Sequence, residues 1–230
     1  MFALRKSADR GSFDHGWLKT HHTFSFGDYQ DEDHMQFRAL RVMNEDFIAA
    51  GQGFGMHGHR DMEIVTLMLE GQLAHRDSLG NTEVLSPGEL QRMTAGTGIR
   101  HSEFNPSNSA PAHLYQIWLF PEKEGLTPSY EQKKIDFGHN AWTLAASRDA
   151  RDGALRIHQD AEIRLARVEQ GKQLAYTLAP GRSAWLQVLR GNVAFAGNAI
   201  SAGDGVAISK ESQIEVTAST NAELLLFDLA

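Results

Sequence analysis

The sequence contains no cysteine. A disulfide framework, thiolate metal sites and cysteine nucleophiles are therefore excluded, and any metal must sit on nitrogen and oxygen ligands. No apolar run approaches the roughly 18 residues of a membrane span. Met1 to Arg10 lacks the apolar stretch and small-residue cleavage site of a signal peptide. Positive charge is also in short supply: the formal net charge is −7, against the basic surface that direct nucleic-acid binding needs. Long amphipathic helices are missing, and the best helical candidate is the segment from Thr127 to Lys134. These absences lead to the expectation of a cytoplasmic protein with neither membrane nor nucleic-acid contacts.

What is present is glycine, 21 residues of it, in a chain of 230 residues that is 41% hydrophobic and 22% charged. Such a chain can bury a core, and its length suits two domains of roughly 100 residues. Glycine, Asn, Asp and Pro punctuate short runs rich in Val, Ile, Leu, Phe and Thr, such as Glu63–Leu69, Leu114–Phe120, Ala184–Leu189 and Leu224–Leu229. That pattern predicts an all-β sandwich or barrel. An internal repeat refines it. Thr66-Leu-Met-Leu-Glu-Gly71 followed by Leu85-Ser-Pro-Gly88-Glu is echoed by Leu186-Gln-Val-Leu-Arg-Gly191 followed by Ile200-Ser-Ala-Gly203-Asp. The spacing between the paired glycines is 17 residues in the first copy and 12 in the second. A longer hairpin carrying Asp77-Ser-Leu-Gly-Asn81 accounts for the difference. The expectation is one barrel duplicated, with domains 1–130 and 131–230 and the boundary inside Pro121–Asn140.

Nine of the eleven histidines precede residue 114. His57 and His59, two residues apart, share one face of a strand. His101 and Glu103 repeat that spacing 42 residues after His59. If their strands are neighbours, three imidazoles and one carboxylate converge, a set that suits Fe, Mn, Ni, Cu or Zn. Glu63 is the rival carboxylate. It lies about 13 Å from His59 along a straight strand, so it reaches the same point only through a sharp turn. Adjacent His21 and His22 face opposite ways and read as packing or surface residues. Phe54, Met56, Met62 and Trp118 are candidates to line an apolar pocket. The second copy has Thr177 and Ala179 where the first has His57 and His59, which predicts a second barrel without metal.

Gly51-(five residues)-His57-Gly-His59-(three residues)-Glu63 resembles the first motif of the cupin superfamily, and Gly88-(five residues)-Thr94-Ala-Gly96-(four residues)-His101-(three residues)-Asn105 resembles the second. The departures are Thr94 in place of the usual proline, two extra residues before His101, and a Glu63 one position close to Gly71. With Gly16-Trp-Leu, Thr23-Phe-Ser-Phe, Leu40-Arg-Val, Gly51-Gln-Gly-Phe-Gly, Ala95-Gly-Thr-Gly-Ile-Arg-His101-Ser-Glu103 and Leu114-Tyr-Gln-Ile-Trp118, the first half resembles the pirin family, above all its bacterial members with quercetin dioxygenase activity. Gly58 stands where those proteins often have proline. The second half matches more loosely, through Ala150-Arg-Asp-Gly153 and Ile157-His-Gln-Asp160.

The resemblance implies a bicupin, two packed jelly-roll-like barrels with few short helices. It implies one divalent metal held by His57, His59, His101 and Glu103, with Fe(II) favoured and Mn, Ni, Cu, Co or Zn open. It implies an oxidoreductase, a 2,3-dioxygenase that opens flavonols such as quercetin, or another aromatic enediol, with O2 and releases CO; Glu103 is its candidate general base. A second implication is a metal-dependent regulatory protein acting through a protein partner. A monomer fits two barrels in one chain.

Overall fold

The computed structural model describes every residue from Met1 to Ala230. Twenty-two β-strands and three 3-10 turns of three residues account for all regular structure, so the fold is all-β, as expected. The few helices expected shrink to those turns. No helix is long and apolar enough to cross a membrane. The helical candidate Thr127–Lys134 is corrected: Ser129–Lys134 is a strand, paired along its whole length with Glu89–Thr94. Its alternation decides the matter, because Tyr130 and Gln132 turn to one side and Glu131 and Lys133 to the other.

The chain forms two compact units. One comprises Gly11–Ile135 with Leu155–Gln159; the other comprises Met1–Arg10, Asp136–Ala154 and Asp160–Ala230. The excursion of the first ten residues has a simple cause. Phe2–Arg5 is a strand whose partner is Gly205–Ser209 in the second half.

The two units repeat one topology. In the first, the larger sheet runs Ser129–Lys134, Glu89–Thr94, Glu63–Glu70, Ala112–Leu119, Leu40–Ile48, Leu18–His22 and Gly11–Asp14. In the second, Phe2–Arg5, Gly205–Ser209, Ser183–Arg190, Ala222–Leu229, Ala161–Val168 and Thr143–Ser147 follow one another in the same way. Each unit adds a four-stranded sheet: Gly53–His59, Ile99–Phe104, Leu73–Asp77 and Thr82–Leu85 in the first, and Gln173–Thr177, Gln213–Ala218, Asn192–Phe195 and Asn198–Ser201 in the second. The repeated glycines turn equivalent hairpins. Gly71 has φ +73°, and a Cβ there would lie 2.7 Å from the Pro111 carbonyl oxygen; Gly191 has φ +76°, with 2.1 Å to the Asn221 carbonyl oxygen. Only glycine combines that conformation with that proximity.

The repeat supplies its own control on what fills each interior. In the second unit the inward positions Leu186, Leu226, Val206 and Ala166 belong to a continuous apolar core, with Arg164 opposite Leu226 and Ala166 opposite Leu224. Counting from Gly71 and Gly191 and following strand register, the counterparts in the first unit are Thr66, Gln116, Gln91 and Asp46. All four are buried. They lie between two apolar layers, one of Leu18, Ile48, Met68, Leu73, Leu85 and Leu114, the other of Ile64, Met93, Ala95 and Ile99. Buried polar groups cost free energy unless each finds a partner. The first barrel accepts that cost at one level of its core, and the histidine strands cross the barrel there.

Candidate metal centre

Gly53–His59 and Ile99–Phe104 are neighbouring antiparallel strands, with His101 opposite His57. A register shift between His101 and Glu103 then sets Glu103 opposite Phe54. On its other side Ile99–Phe104 pairs with Leu73–Asp77, which puts His101 beside Asp77 and Glu103 beside His75. The two pairs expected from spacing thus meet on adjacent strands. His57, His59 and His101 bring ligand atoms within 4.8 Å of one another. Glu103 enters a second such group, with His75 and His101, so His101 belongs to both. Glu63 joins neither: it is buried, and its Oε2 accepts from the backbone N–H of His158 at 3.1 Å. It anchors the returning segment Leu155–Gln159 to its own barrel.

Two of the imidazoles, His59 and His101, are poised as neutral ligands. Burial, followed by the neighbouring His57, pulls His59 down to about 4. Burial, then His57, His59 and His75, pulls His101 down to about 3. His57 donates Nδ1–H to the Gly55 carbonyl at 2.8 Å, which leaves its Nε2 lone pair free to ligate. His59 Nε2 and His101 Nε2 lie 2.9 Å apart, and His101 Nδ1 is buried with no partner. Two ring nitrogens at that distance repel unless a proton or a cation sits between them. This donor set, three imidazoles with a carboxyl beside them, fits a divalent transition metal.

Glu103 is held from below. Gln116 Nε2 donates to its Oε2 at 2.7 Å and Gln91 Nε2 to its Oε1 at 3.2 Å. The Tyr130 hydroxyl lies 3.1 Å from Gln91 Oε1 and 2.8 Å from Gln132 Oε1, so its one proton serves both amide oxygens. Burial pushes the Glu103 carboxyl up to about 7; the amides pull it down, and the charge of Asp46 adds to the rise. His75 is oriented in turn by Asp77, whose Oδ2 lies 3.0 Å from its Nε2. Asp77 is gripped by Asn81 and the Leu79 backbone in the longer hairpin. Burial raises Asp77, but hydrogen bonds from Asn81 and His75 outweigh it and the carboxyl stays below its usual range.

A cavity of about 800 Å³ opens on this cluster. Trp17, Phe26, Phe54 and Trp118 supply aromatic wall, with Phe26 edge-on to Trp118 and Trp118 edge-on to His59. Of the four apolar candidates, Phe54 and Trp118 line the cavity; Met56 is exposed and Met62 packs against the Ile64–Met93 layer. His22 lines the cavity too, while His21 lies edge-on to Phe47. Spacing arguments missed His75, Gln91, Gln116 and Tyr130. The signal was present, since Thr66 and Gln116 interrupt apolar strands where a hydrophobic residue packs in the second copy.

The family model for pirin matches residues 3–119. The chain belongs to the pirin family. Residues 144–229 of this pirin match the model described as the quercetinase C-terminal cupin domain. A relative from Escherichia coli strain K12 named quercetin 2,3-dioxygenase is 50% identical over 229 residues, covering 100% of this chain and 99% of its own. The crystal structure of YhhW from Escherichia coli superimposes with a TM-score of 0.97 at 50% identity, covering 100% of this pirin and 98% of that chain. A second crystal structure, described as bacterial pirin YhhW in complex with nickel(II), gives 0.96 at 50% identity, with coverage of 100% and 99%.

Proposed function

We propose that the protein is a metal-dependent dioxygenase of flavonols, with His57, His59, His101 and Glu103 holding one divalent transition metal. The observation that carries this reading is the meeting of three imidazoles and a buried carboxyl in an aromatic-walled cavity. The name of the relative from strain K12 and the nickel complex of YhhW support it. Fe(II) is the favoured ion, with Mn, Ni, Cu, Co and Zn compatible with the same ligands.

A bound divalent ion in such a site lowers the pKa of a substrate hydroxyl and stabilises the oxyanion formed. The protein's own groups do the rest. Glu103, which lines the cavity, would take the proton of the flavonol 3-hydroxyl as general base once it loosens from the ion. Gln91 and Gln116 keep its oxygens aimed while the proton moves. Phe26, Phe54, Trp17 and Trp118 offer faces and edges to the flat rings of the substrate. Their bulk also excludes water, which strengthens every polar contact inside the cavity.

The test is an aerobic assay of metal-loaded protein with quercetin, following flavonol loss and CO release. Turnover with at least one of Fe, Mn, Ni, Cu or Co, lost in His101→Ala, is the expected result. Failure with all five ions would defeat the reading.

A further inference from the structure

A second polar group stands on the wall of the same cavity, on strands other than those of the histidines. On Leu40–Ile48, Asn44 and Asp46 are two residues apart and share the inward face. Both line the cavity, and they are only 4% and 3% exposed. Thr20, opposite Asp46 on the neighbouring strand, donates Oγ1–H to Asp46 Oδ1 at 2.5 Å. The other carboxyl oxygen has no partner in the chain. Asn44 Oδ1 is buried and has no partner.

These two residues differ from the rest of the polar level. Gln91 and Gln116 are explained by Glu103, which receives their amide hydrogens. Asp46 and Asn44 hold nothing in the protein that accounts for them. The second barrel has Ala166 where the first has Asp46, so the fold itself does not require a carboxyl there; the position of Asn44 is taken by Arg164, which is held by Glu162. A buried acceptor without a donor is costly, and the cost vanishes when a ligand supplies the donor. The missing partner is therefore an O–H or N–H group of whatever fills the cavity.

We propose that Asp46 and Asn44, braced by Thr20, form a hydroxyl-recognition subsite that selects polyphenolic substrates by a phenolic O–H outside the ring held at the histidines. This rests on the flavonol reading above and deepens it. The phenol donates to the free Asp46 oxygen, and Thr20 keeps that oxygen turned into the cavity. Asn44 offers a second acceptor for a neighbouring hydroxyl. A substrate without such a group covers the free Asp46 oxygen without pairing it, and is rejected for that reason.

The experiment compares quercetin with 3-hydroxyflavone, which retains the reacting hydroxy-ketone and has no other hydroxyl. With metal-loaded full-length protein, wild type is expected to favour quercetin by roughly 10- to 100-fold in kcat/KM. In Asp46→Ala, which installs the side chain found in the second barrel, the ratio falls below about threefold; Asp46→Leu, a bulkier apolar replacement, shows the same collapse. A wild-type ratio near one, or a ratio that survives both substitutions, overturns the proposal. If neither compound is turned over, the flavonol reading fails by itself. The subsite is then judged on dissociation constants for the same pair, read by quenching of tryptophan fluorescence, with the same ratio required of wild type and the same loss in the variants.

Discussion

Asp46→Asn isolates the electrostatic cost of the polar level from any question of catalysis. Burial pushes the Asp46 carboxyl up from 3.8 to about 7, opposed by the Thr20 hydrogen bond and reinforced by Glu45. The folded state therefore binds this proton more tightly than the unfolded chain does. Below about pH 4 both states are protonated and the group costs nothing. As pH rises through the window to about 7, the unfolded chain ionises freely while the folded chain must either keep the proton or bury a charge, so stability falls. The displacement is about 3 pH units, and each is worth about 1.4 kcal/mol, which puts the loss on the order of 4 kcal/mol above pH 7. Asparagine keeps the shape and the acceptor for Thr20 but never ionises. Urea unfolding of chelator-treated protein at pH 4, 6, 7 and 8.5 reads the difference. The variant should match wild type within about 1 kcal/mol at pH 4 and exceed it by several kcal/mol at pH 8.5. A variant less stable than wild type at pH 8.5, or a gap that does not widen with pH, would refute the placement of a buried, destabilised carboxylate at this position.

Three further outcomes follow from the same geometry. Gln116→Leu removes the 2.7 Å donor to Glu103 and should weaken metal affinity by roughly 10- to 100-fold, measured by competition with a chromophoric chelator. The buried imidazoles work in the opposite sense to Asp46: with His59 and His101 held near 4 and 3, they subtract stability from metal-free protein as pH drops from about 6.5 toward 4, so the stability of His101→Leu relative to wild type should rise over that range. Gly71→Ala should cost about 2 kcal/mol or more, because it adds left-handed strain to a 2.7 Å clash with Pro111, whereas Gly171→Ala, at φ +78° with open space around it, should cost only about 1 kcal/mol; thermal melts rank the two.

Much of the scaffold could be read from the chain because β structure writes locally. Glycine turns at Gly71 and Gly191 carry a backbone requirement that no other residue meets, so the duplication surfaced as a repeat. His57 and His59, and likewise His101 and Glu103, share strand faces by the period of two, and antiparallel neighbours then brought them together. The remainder depended on register between distant strands. Nothing local says that Gln116 faces Thr66 and that Thr66 faces Gln91, yet that row supports Glu103. The exchange of strands at the edge was equally hidden, since Phe2–Arg5 pairs with a segment some 200 residues away. Thr127–Lys134 misled because Glu, Gln and Lys favour helices, and pairing with Glu89–Thr94 overrode that preference.

The most direct test of the metal centre is anomalous diffraction from a crystal of metal-loaded protein, collected above and below the absorption edge of the loaded ion. One site per chain is predicted, with His57, His59 and His101 nitrogens and a Glu103 oxygen each at about 2.0–2.2 Å. An ion bound elsewhere, or one bound by the histidines with Glu103 still turned to Gln91 and Gln116 beyond bonding distance, would contradict the four-residue assignment.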